Sequence, residues 1–86
     1  MITKDYIIMA PEGIHARPAA ALVKLARQFR AVVQLQFKEK VVVVNSLLNL
    51  LSLGAKGGDT ITLRIEGEDE AAAAQALEQW FTTLKN

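Results

Sequence analysis

The sequence predicts an α/β open-faced sandwich, in which three helices cover one face of a four-stranded sheet. Two observations predict this fold class. Segments that alternate apolar and polar residues are interspersed with segments in which apolar residues recur every three or four positions. Turn-forming residues separate these segments, and the resulting order of elements is β-α-β-β-α-β-α. A sheet of this kind has one face toward water and one face toward the helices.

The first half of the chain predicts a strand, a helix and a hairpin. Residues 2–9 suit a strand, and residues 11–13 (Pro-Glu-Gly) then favour a type I turn. Helical spacing extends from about residue 16 to about residue 28. Residues 31–38 alternate cleanly and predict a strand with one wet face. The β-branched residues 41–44 predict its hairpin partner.

The second half predicts a short helix, a fourth strand and a closing helix. Asn45 and Ser46 are both good helix caps, and the leucines that follow predict a helix of about two turns ended by Gly54. Residues 60–66 alternate, with Ile61, Leu63 and Ile65 toward the core. The acidic residues 68–70 suit a helix N-terminus. The apolar stripe of that last helix is Ala74, Leu77, Phe81 and Leu84, flanked by Trp80, and we expect Trp80 and Phe81 in the core.

Length and composition exclude several classes of protein. The 86 residues fit a single domain spanning 1–86. Because there is no cysteine, neither a disulfide framework nor a thiolate metal site is available, and we expect no metal and no cofactor. No apolar run approaches the length of a membrane span, and residues 1–5 lack the layout of a signal peptide, so a cytoplasmic protein is expected. We also expect it to be a monomer. The net charge of +1 and dispersed basic residues argue against a nucleic-acid partner.

The most informative segment is residues 13–19, Gly-Ile-His-Ala-Arg-Pro-Ala, which places the single histidine at the start of a helix. Free N–H groups around Ala16 and Arg17, together with the helix dipole, favour a negative group at His15. The same dipole disfavours the imidazolium, which leaves the neutral, nucleophilic ring. Arg17 adds planar donors suited to phosphate oxygens. The segment predicts a phosphoryl group on His15; the alternative is a capping or surface histidine beside a solvated arginine.

Three segments together resemble HPr, the histidine-containing phosphocarrier family of the bacterial phosphotransferase system. They are residues 13–19, residues 45–54 (Asn-Ser-Leu-Leu-Asn-Leu-Leu-Ser-Leu-Gly) and residues 66–70 (Glu-Gly-Glu-Asp-Glu). The resemblance covers essentially the whole chain. It implies that His15 accepts phosphate through Nδ1, the pros nitrogen, from enzyme I charged by phosphoenolpyruvate. It also implies onward transfer to the IIA components of sugar transporters by a stoichiometric carrier, not an enzyme, with a phosphohistidine intermediate.

The resemblance implies roles for two further residues. Arg17 matches the family's active-site arginine. Ser46 matches the serine that an ATP-dependent kinase phosphorylates in Gram-positive relatives, so an HPr serine kinase/phosphatase and a transcriptional regulator are further expected partners. The sequence departs from that pattern, since Asn45 replaces the usual lysine, and Leu48 and Leu51 stand where methionines are common. The alternative for Ser46 is a plain helix cap worth about 1 kcal/mol.

The leucines after Ser46 outnumber what one face of a two-turn helix can bury. We expect Leu50 and Leu53 in the core. Some of Leu47, Leu48 and Leu51 are expected to remain exposed, and these three residues are the candidates for a partner-docking patch.

Two other classes of function compete with the carrier. One is a regulatory HPr-like binding module, of the nitrogen-branch or catabolite-control type, whose phosphorylation state switches partner binding. The other is an RNA-binding module, which the sequence disfavours because it lacks a basic stripe and strand-borne aromatic residues. An independent hydrolase or kinase is also disfavoured, because the chain has one histidine, no cysteine and no phosphate-binding glycine loop.

Overall fold

The computed structural model describes residues 1–83, and its elements follow the predicted order. Within these residues the strands are Ile2–Ile7 (β1), Val32–Phe37 (β2), Lys40–Val43 (β3) and Thr60–Glu66 (β4). The helices are Ala16–Ala26 (α1), Leu47–Leu51 (α2) and Glu70–Thr83 (α3). The predicted stripe position Leu84 lies outside the described residues.

The strands form one antiparallel sheet in the order β1-β4-β2-β3. β4 lies between β1 and β2, and its Ile61, Leu63 and Ile65 are buried, as predicted. Because side chains alternate across a strand, Thr62 and Arg64 lie on the opposite, solvent-facing side of the sheet. The alternation in the sequence therefore identifies the inner face of this strand correctly.

The helices cover one face of the sheet and share with it one cluster of buried apolar residues. α3 packs on β1 and β4, and α1 packs on α2 and α3. The most completely buried large side chains come from both layers: Ile8, Leu22, Leu35, Leu50, Ile61, Leu63, Ile65 and Leu77. Trp80 and Phe81 are buried and stand edge to face, with ring centroids 4.7 Å apart. Their predicted place in the core is confirmed.

α1 and β1 end earlier than the sequence predicts because local hydrogen bonds change there. The amides of Gln28 and Phe29 bond to carbonyls only three residues earlier, at 3.1 and 3.2 Å, so α1 stops at Ala26 and tightens into a final turn. β1 stops at Ile7 rather than at residue 9. The next amide, of Ile8, bonds to the Asp59 carbonyl at 2.8 Å, outside the ladder with β4.

β2 begins one residue later than predicted because the Asp69 carboxylate takes the preceding amides. Its two oxygens accept the N–H groups of Arg30 and Ala31, both at 2.8 Å. The bond from the Arg30 N–H is the main cause that lowers the pKa of Asp69 below the ordinary range of an aspartate. Asp69 thus ties the α1–β2 connection to the start of α3, in addition to placing negative charge at that helix N-terminus.

α2 is shorter than the predicted two turns. It comprises the five residues Leu47–Leu51, with Ser52 as its C-cap. The amide of Leu53 bonds to the Leu50 carbonyl at 3.2 Å, which again tightens the end of the helix. Gly54 follows in the left-handed region, with φ of +71°, so the chain turns away where the sequence predicts a helix stop.

Candidate functional site

His15 occupies the N-cap position of α1. Its backbone is extended, with φ of −111° and ψ of 176°, and its carbonyl accepts the Ala19 amide at 3.0 Å. Its side chain makes no capping hydrogen bond. Within residues 1–83, no hydrogen bond engages the amides of Ala16 and Arg17. The start of α1 therefore offers free donors and the positive end of a helix dipole beside the imidazole.

The two nitrogens of the His15 ring have different surroundings. The side chain is 33% exposed, and its Nε2 lies 3.3 Å from Oε2 of Glu12. Its Nδ1 is buried and has no hydrogen-bond partner among residues 1–83. The sequence identified His15 as the candidate but assigned Glu12 only to a turn. The available signal was an acidic side chain three residues before the histidine, across that turn.

The loop before His15 is fixed by a turn and a close backbone approach. The predicted turn is present, since the Gly13 amide bonds to the Ala10 carbonyl at 2.9 Å. Gly13 has φ of +75°, and a Cβ there would overlap the carbonyl oxygen of Ala55. Ile14 is buried, and its amide bonds to the same carbonyl at 3.4 Å. The loop that carries His15 consequently lies against the chain that follows α2.

The first turn of α1 is anchored from α3. The indole Nε1 of Trp80 donates a hydrogen bond of 2.9 Å to the Pro18 carbonyl. Arg17, one residue earlier, is exposed, and its side chain has no hydrogen bond or ion pair within the described part of the chain. The backbone at this helix start is therefore held in place, while the guanidinium of Arg17 has no competing partner for an anion at His15.

Ser46 is the N-cap of α2, as predicted. Its Oγ accepts the Asn49 amide at 3.2 Å. The Asn49 side chain in turn donates to Asn45 Oδ1 at 2.8 Å and to the Val43 carbonyl at 3.1 Å. Arg27, near the end of α1, donates to the Asn45 carbonyl at 2.9 Å. These bonds place a guanidinium beside the residue that precedes Ser46.

The leucines of α2 are sorted less simply than predicted. Leu50 and Leu53 are buried, as expected. Leu48 is 79% exposed and Leu51 is 39% exposed, so both are available on the surface. Leu47 is only partly buried and packs against the core cluster, so Leu48 and Leu51 are the leucines that the structure leaves exposed.

Two further observations concern residues 1–83 as a whole. They contain no group of three or more histidine, aspartate and glutamate side chains arranged to hold a metal ion. None of their helices combines the length and hydrophobicity that a membrane-spanning segment needs.

The fold and this site define an open-faced sandwich that presents a single imidazole at the positive end of a helix. A family model for the PTS HPr component phosphorylation site matches residues 2–83. A phosphocarrier protein HPr from Lysinibacillus sphaericus is 38% identical over 84 residues, which cover 98% of this chain and 96% of that protein. The chain belongs to the HPr family of phosphocarrier proteins of the phosphotransferase system.

Two solved structures place the chain within this fold. The histidine-containing phosphocarrier protein of a mycoplasma has a TM-score of 0.92 and 33% identity, and the match covers 96% of this chain and 97% of that one. The Bacillus subtilis catabolite repression protein Crh, described as an intertwined dimer, has a TM-score of 0.77 and 32% identity, with coverage of 96% and 95%. The fold is thus shared with a phosphocarrier and with a catabolite-repression protein.

Proposed function

We propose that His15 accepts a phosphoryl group from enzyme I, charged by phosphoenolpyruvate, and transfers it to IIA components of sugar transporters. One observation carries the proposal: the single histidine of the chain stands at a helix N-cap beside amides that no described residue engages. Such a position combines a nucleophile with donors for an anion. Membership in a phosphocarrier family supports the same function.

In this proposal each nearby group has a defined role. Nδ1 of His15 is the nucleophile, and the backbone N–H groups of Ala16 and Arg17 donate to the phosphoryl oxygens. The Arg17 guanidinium adds a charge-assisted contact. Because Nδ1 is buried in the observed ring orientation, the ring must turn outward before a donor reaches it. The protein then acts as a stoichiometric carrier with a phosphohistidine intermediate, and it needs no cofactor.

Partner docking is assigned to the exposed leucines of α2. Leu48 is largely exposed and Leu51 partly so, and the loop before His15 lies against the chain that follows this helix. An apolar surface near the phosphoryl acceptor suits brief contact with several partners. Leu47 contributes to this surface only through the part of its side chain that the core leaves uncovered.

The test is incubation with enzyme I and phosphoenolpyruvate, followed by mass spectrometry of the intact protein. We expect one acid-labile phosphate on the wild type and none on His15→Ala. Because the His15 side chain is part-exposed at a helix cap, that variant should fold normally, which circular dichroism checks. Undiminished labelling of His15→Ala would remove the histidine from the proposed role.

A second candidate function is a regulatory module whose phosphorylation state switches partner binding. The likeness to Crh, named for catabolite repression, favours it. Ser46 is then the regulatory phosphosite, modified by an HPr serine kinase/phosphatase and read by a transcriptional regulator. Incubation with such a kinase and ATP, with Ser46→Ala as the control, would test this role. Lack of phosphate on wild-type Ser46 would contradict it.

We further propose that residues 1–86 act as a single domain and as a monomer in the cytoplasm. The solved structure of Crh is described as an intertwined dimer, so a protein with this fold also occurs as a dimer. Sedimentation velocity distinguishes them, and we expect a mass near the 9.4 kDa of one chain. A dimer at micromolar concentration would contradict the prediction.

A further inference from the structure

Glu12 is the charged residue closest in sequence to His15 on its N-terminal side, and it contacts the ring. Its Oε2 lies 3.3 Å from Nε2 of His15. The Glu12 side chain is 73% exposed, and no other hydrogen bond or ion pair within residues 1–83 engages it. The turn between Ala10 and Gly13 sets the position of Glu12, so the contact depends on a fixed backbone as well as on a flexible side chain.

The other ring nitrogen indicates what this contact does. A neutral imidazole carries a proton on one nitrogen and a lone pair on the other. A carboxylate accepts hydrogen bonds and donates none, so the nitrogen facing Glu12 is the one that bears the proton. Nδ1 then holds the lone pair. Its buried position without a partner fits this tautomer better than the reverse, in which Nδ1 would bury an N–H and Nε2 would face the carboxylate with a lone pair.

We propose that Glu12 is a positioning residue that selects the Nε2–H tautomer of His15 and so directs phosphorylation to Nδ1. The inference rests on the proposed phosphoryl acceptance at His15 and adds the residue that decides which nitrogen reacts. Glu12 need not touch the phosphoryl group. It acts through the ring, as an orienting carboxylate acts on a histidine in other nucleophilic sites.

The charge balance of the step supports the same role. The Nδ1 lone pair forms a bond to phosphorus, and the bond from phosphorus to the donor's leaving atom breaks and returns its electron pair to that atom. Since Nε2 keeps its proton, the ring becomes a phosphorylated imidazolium with one positive charge. In the resting orientation the Glu12 carboxylate faces Nε2, and because its side chain is 73% exposed it is free to follow Nε2 and its charge when the ring turns outward. When the phosphoryl group leaves, the electron pair returns to Nδ1 and the ring is neutral again.

The test uses phosphoramidate, a small phosphoryl donor that releases ammonia and requires no protein partner. Wild type, Glu12→Ala and Glu12→Gln are phosphorylated, and phosphorus and nitrogen NMR give the ratio of Nδ1 to Nε2 phosphohistidine. We expect the Nδ1 isomer to predominate in the wild type. In Glu12→Ala the ratio should fall roughly two- to fivefold, the range that an exposed charge pair supports. Glu12→Gln keeps an acceptor oxygen, so its ratio should lie between the two.

Glu39→Ala is the matched control, because it removes the same charge from an exposed residue of the β2–β3 turn. Its ratio should equal that of the wild type. An unchanged ratio in Glu12→Ala, or an equal fall in Glu39→Ala, would overturn the proposal. Comparing isomers within one sample cancels any effect of the substitution on the overall attraction of the anionic donor.

A second measurement examines the unphosphorylated protein. Nitrogen shifts of the neutral His15 ring report which nitrogen bears the proton, and we expect the Nε2–H share to be lower in Glu12→Ala than in the wild type. Equal shares would contradict the proposal. Neither measurement uses enzyme I, so a failure here is distinct from a failure of the enzyme I labelling, which tests the carrier function.

Discussion

Arg17 is the side chain that we expect to contact a phosphoryl group on His15 under the proposed function. It is exposed, it has no partner within the described residues, and it follows the histidine by two positions in the first turn of α1. A cation in that turn is unfavourable for the helix itself, because the dipole is positive there. This cost is small. A phosphoryl group on the His15 ring would make the positive charge of Arg17 favourable at this position.

We expect Arg17→Ala to slow phosphoryl transfer from enzyme I without unfolding the protein. The loss of one charge-assisted contact is worth roughly 1.5–3 kcal/mol, or a rate lower by about ten- to a hundredfold. Rapid-quench measurement of phosphohistidine formation gives this rate. Arg17→Lys is the control, since it keeps the charge but loses the planar pair of donors. A rate for Arg17→Ala within twofold of the wild type would exclude the contact.

Asp69 is a residue whose role belongs to stability rather than to phosphoryl transfer. Asp69→Asn removes the charge and leaves one acceptor oxygen for the two amides of Arg30 and Ala31. We expect a lower free energy of unfolding at neutral pH. Because the pKa of Asp69 is lowered in the folded protein, its stabilisation is present above the ordinary pKa of an aspartate and is lost as the pH falls through the folded value.

Urea unfolding of the wild type and of Asp69→Asn, at a series of pH values from neutral to strongly acidic, measures the free energy of unfolding of each protein. The difference between wild type and Asp69→Asn should shrink as the pH falls below the ordinary range of an aspartate. Glu68→Gln is the control, because Glu68 is exposed and its contact to Arg30 is long, at 3.9 Å. A difference that does not change with pH would show that the carboxylate charge is not what holds the loop.

At the scale of one element, α2 combines a core side chain and an exposed one in five residues. Leu50 is fully buried and Leu48 is 79% exposed. We expect Leu48→Asp and Leu48→Lys to leave the free energy of unfolding within about 0.5 kcal/mol of the wild type, as surface substitutions usually do. Both should weaken binding to enzyme I, because both remove apolar contact whatever the sign of the new charge. Calorimetric titration measures the affinity.

Leu50→Ala serves as the opposite case, since removal of a fully buried leucine costs about 2–5 kcal/mol. Its stability should fall well below that of the Leu48 variants. If Leu48→Asp loses a comparable amount, then Leu48 belongs to the core and the docking surface is wrong. If only the aspartate variant binds more weakly, charge rather than apolar contact governs docking.

The same element shows where sequence patterns stop being informative. A run of leucines indicates that some must be exposed, but the choice among them depends on the angle at which the helix meets the core. Leu47 is partly buried because α2 packs against α1 and β3. The sequence predicts that His15 is the candidate residue and that it lies at the start of a helix. It does not predict the contact of Nε2 with Glu12, because that contact depends on the turn geometry around Gly13.

At the scale of the whole molecule, the fold is predictable in large part because the two central strands, β2 and β4, alternate apolar and polar residues. Ile61, Leu63 and Ile65 indicate one buried face, and the Val33 and Leu35 positions of β2 do the same. The ends of elements are less predictable, since distant groups set them. Ala31 lies outside β2 because its N–H donates a hydrogen bond to the carboxylate of Asp69, 38 positions away. Residue alternation along one segment carries no information about such a partner.

The relation between the two proposed phosphorylation positions, His15 and Ser46, also belongs to the whole molecule, because α1 and α2 pack together. Arg27 of the α1 end bonds to the Asn45 carbonyl, so a cation lies next to the Ser46 cap. A phosphate on Ser46 would add about two negative charges within the proposed docking surface. Docking should become repulsive wherever the partner surface is acidic, while the helix N-terminus itself accepts the charge.

Ser46→Asp carries part of that charge, and aspartate is as good a helix cap as serine, so the variant should fold normally. We expect it to accept phosphate from enzyme I more slowly than the wild type at low salt. The deficit should narrow as added salt screens the repulsion, since the Debye length falls from about 30 Å at 0.01 M to about 8 Å at 0.15 M. Ser46→Asn, which keeps the cap without the charge, is the control. Equal labelling rates for Ser46→Asp and Ser46→Asn at low salt would leave Ser46 as a helix cap alone.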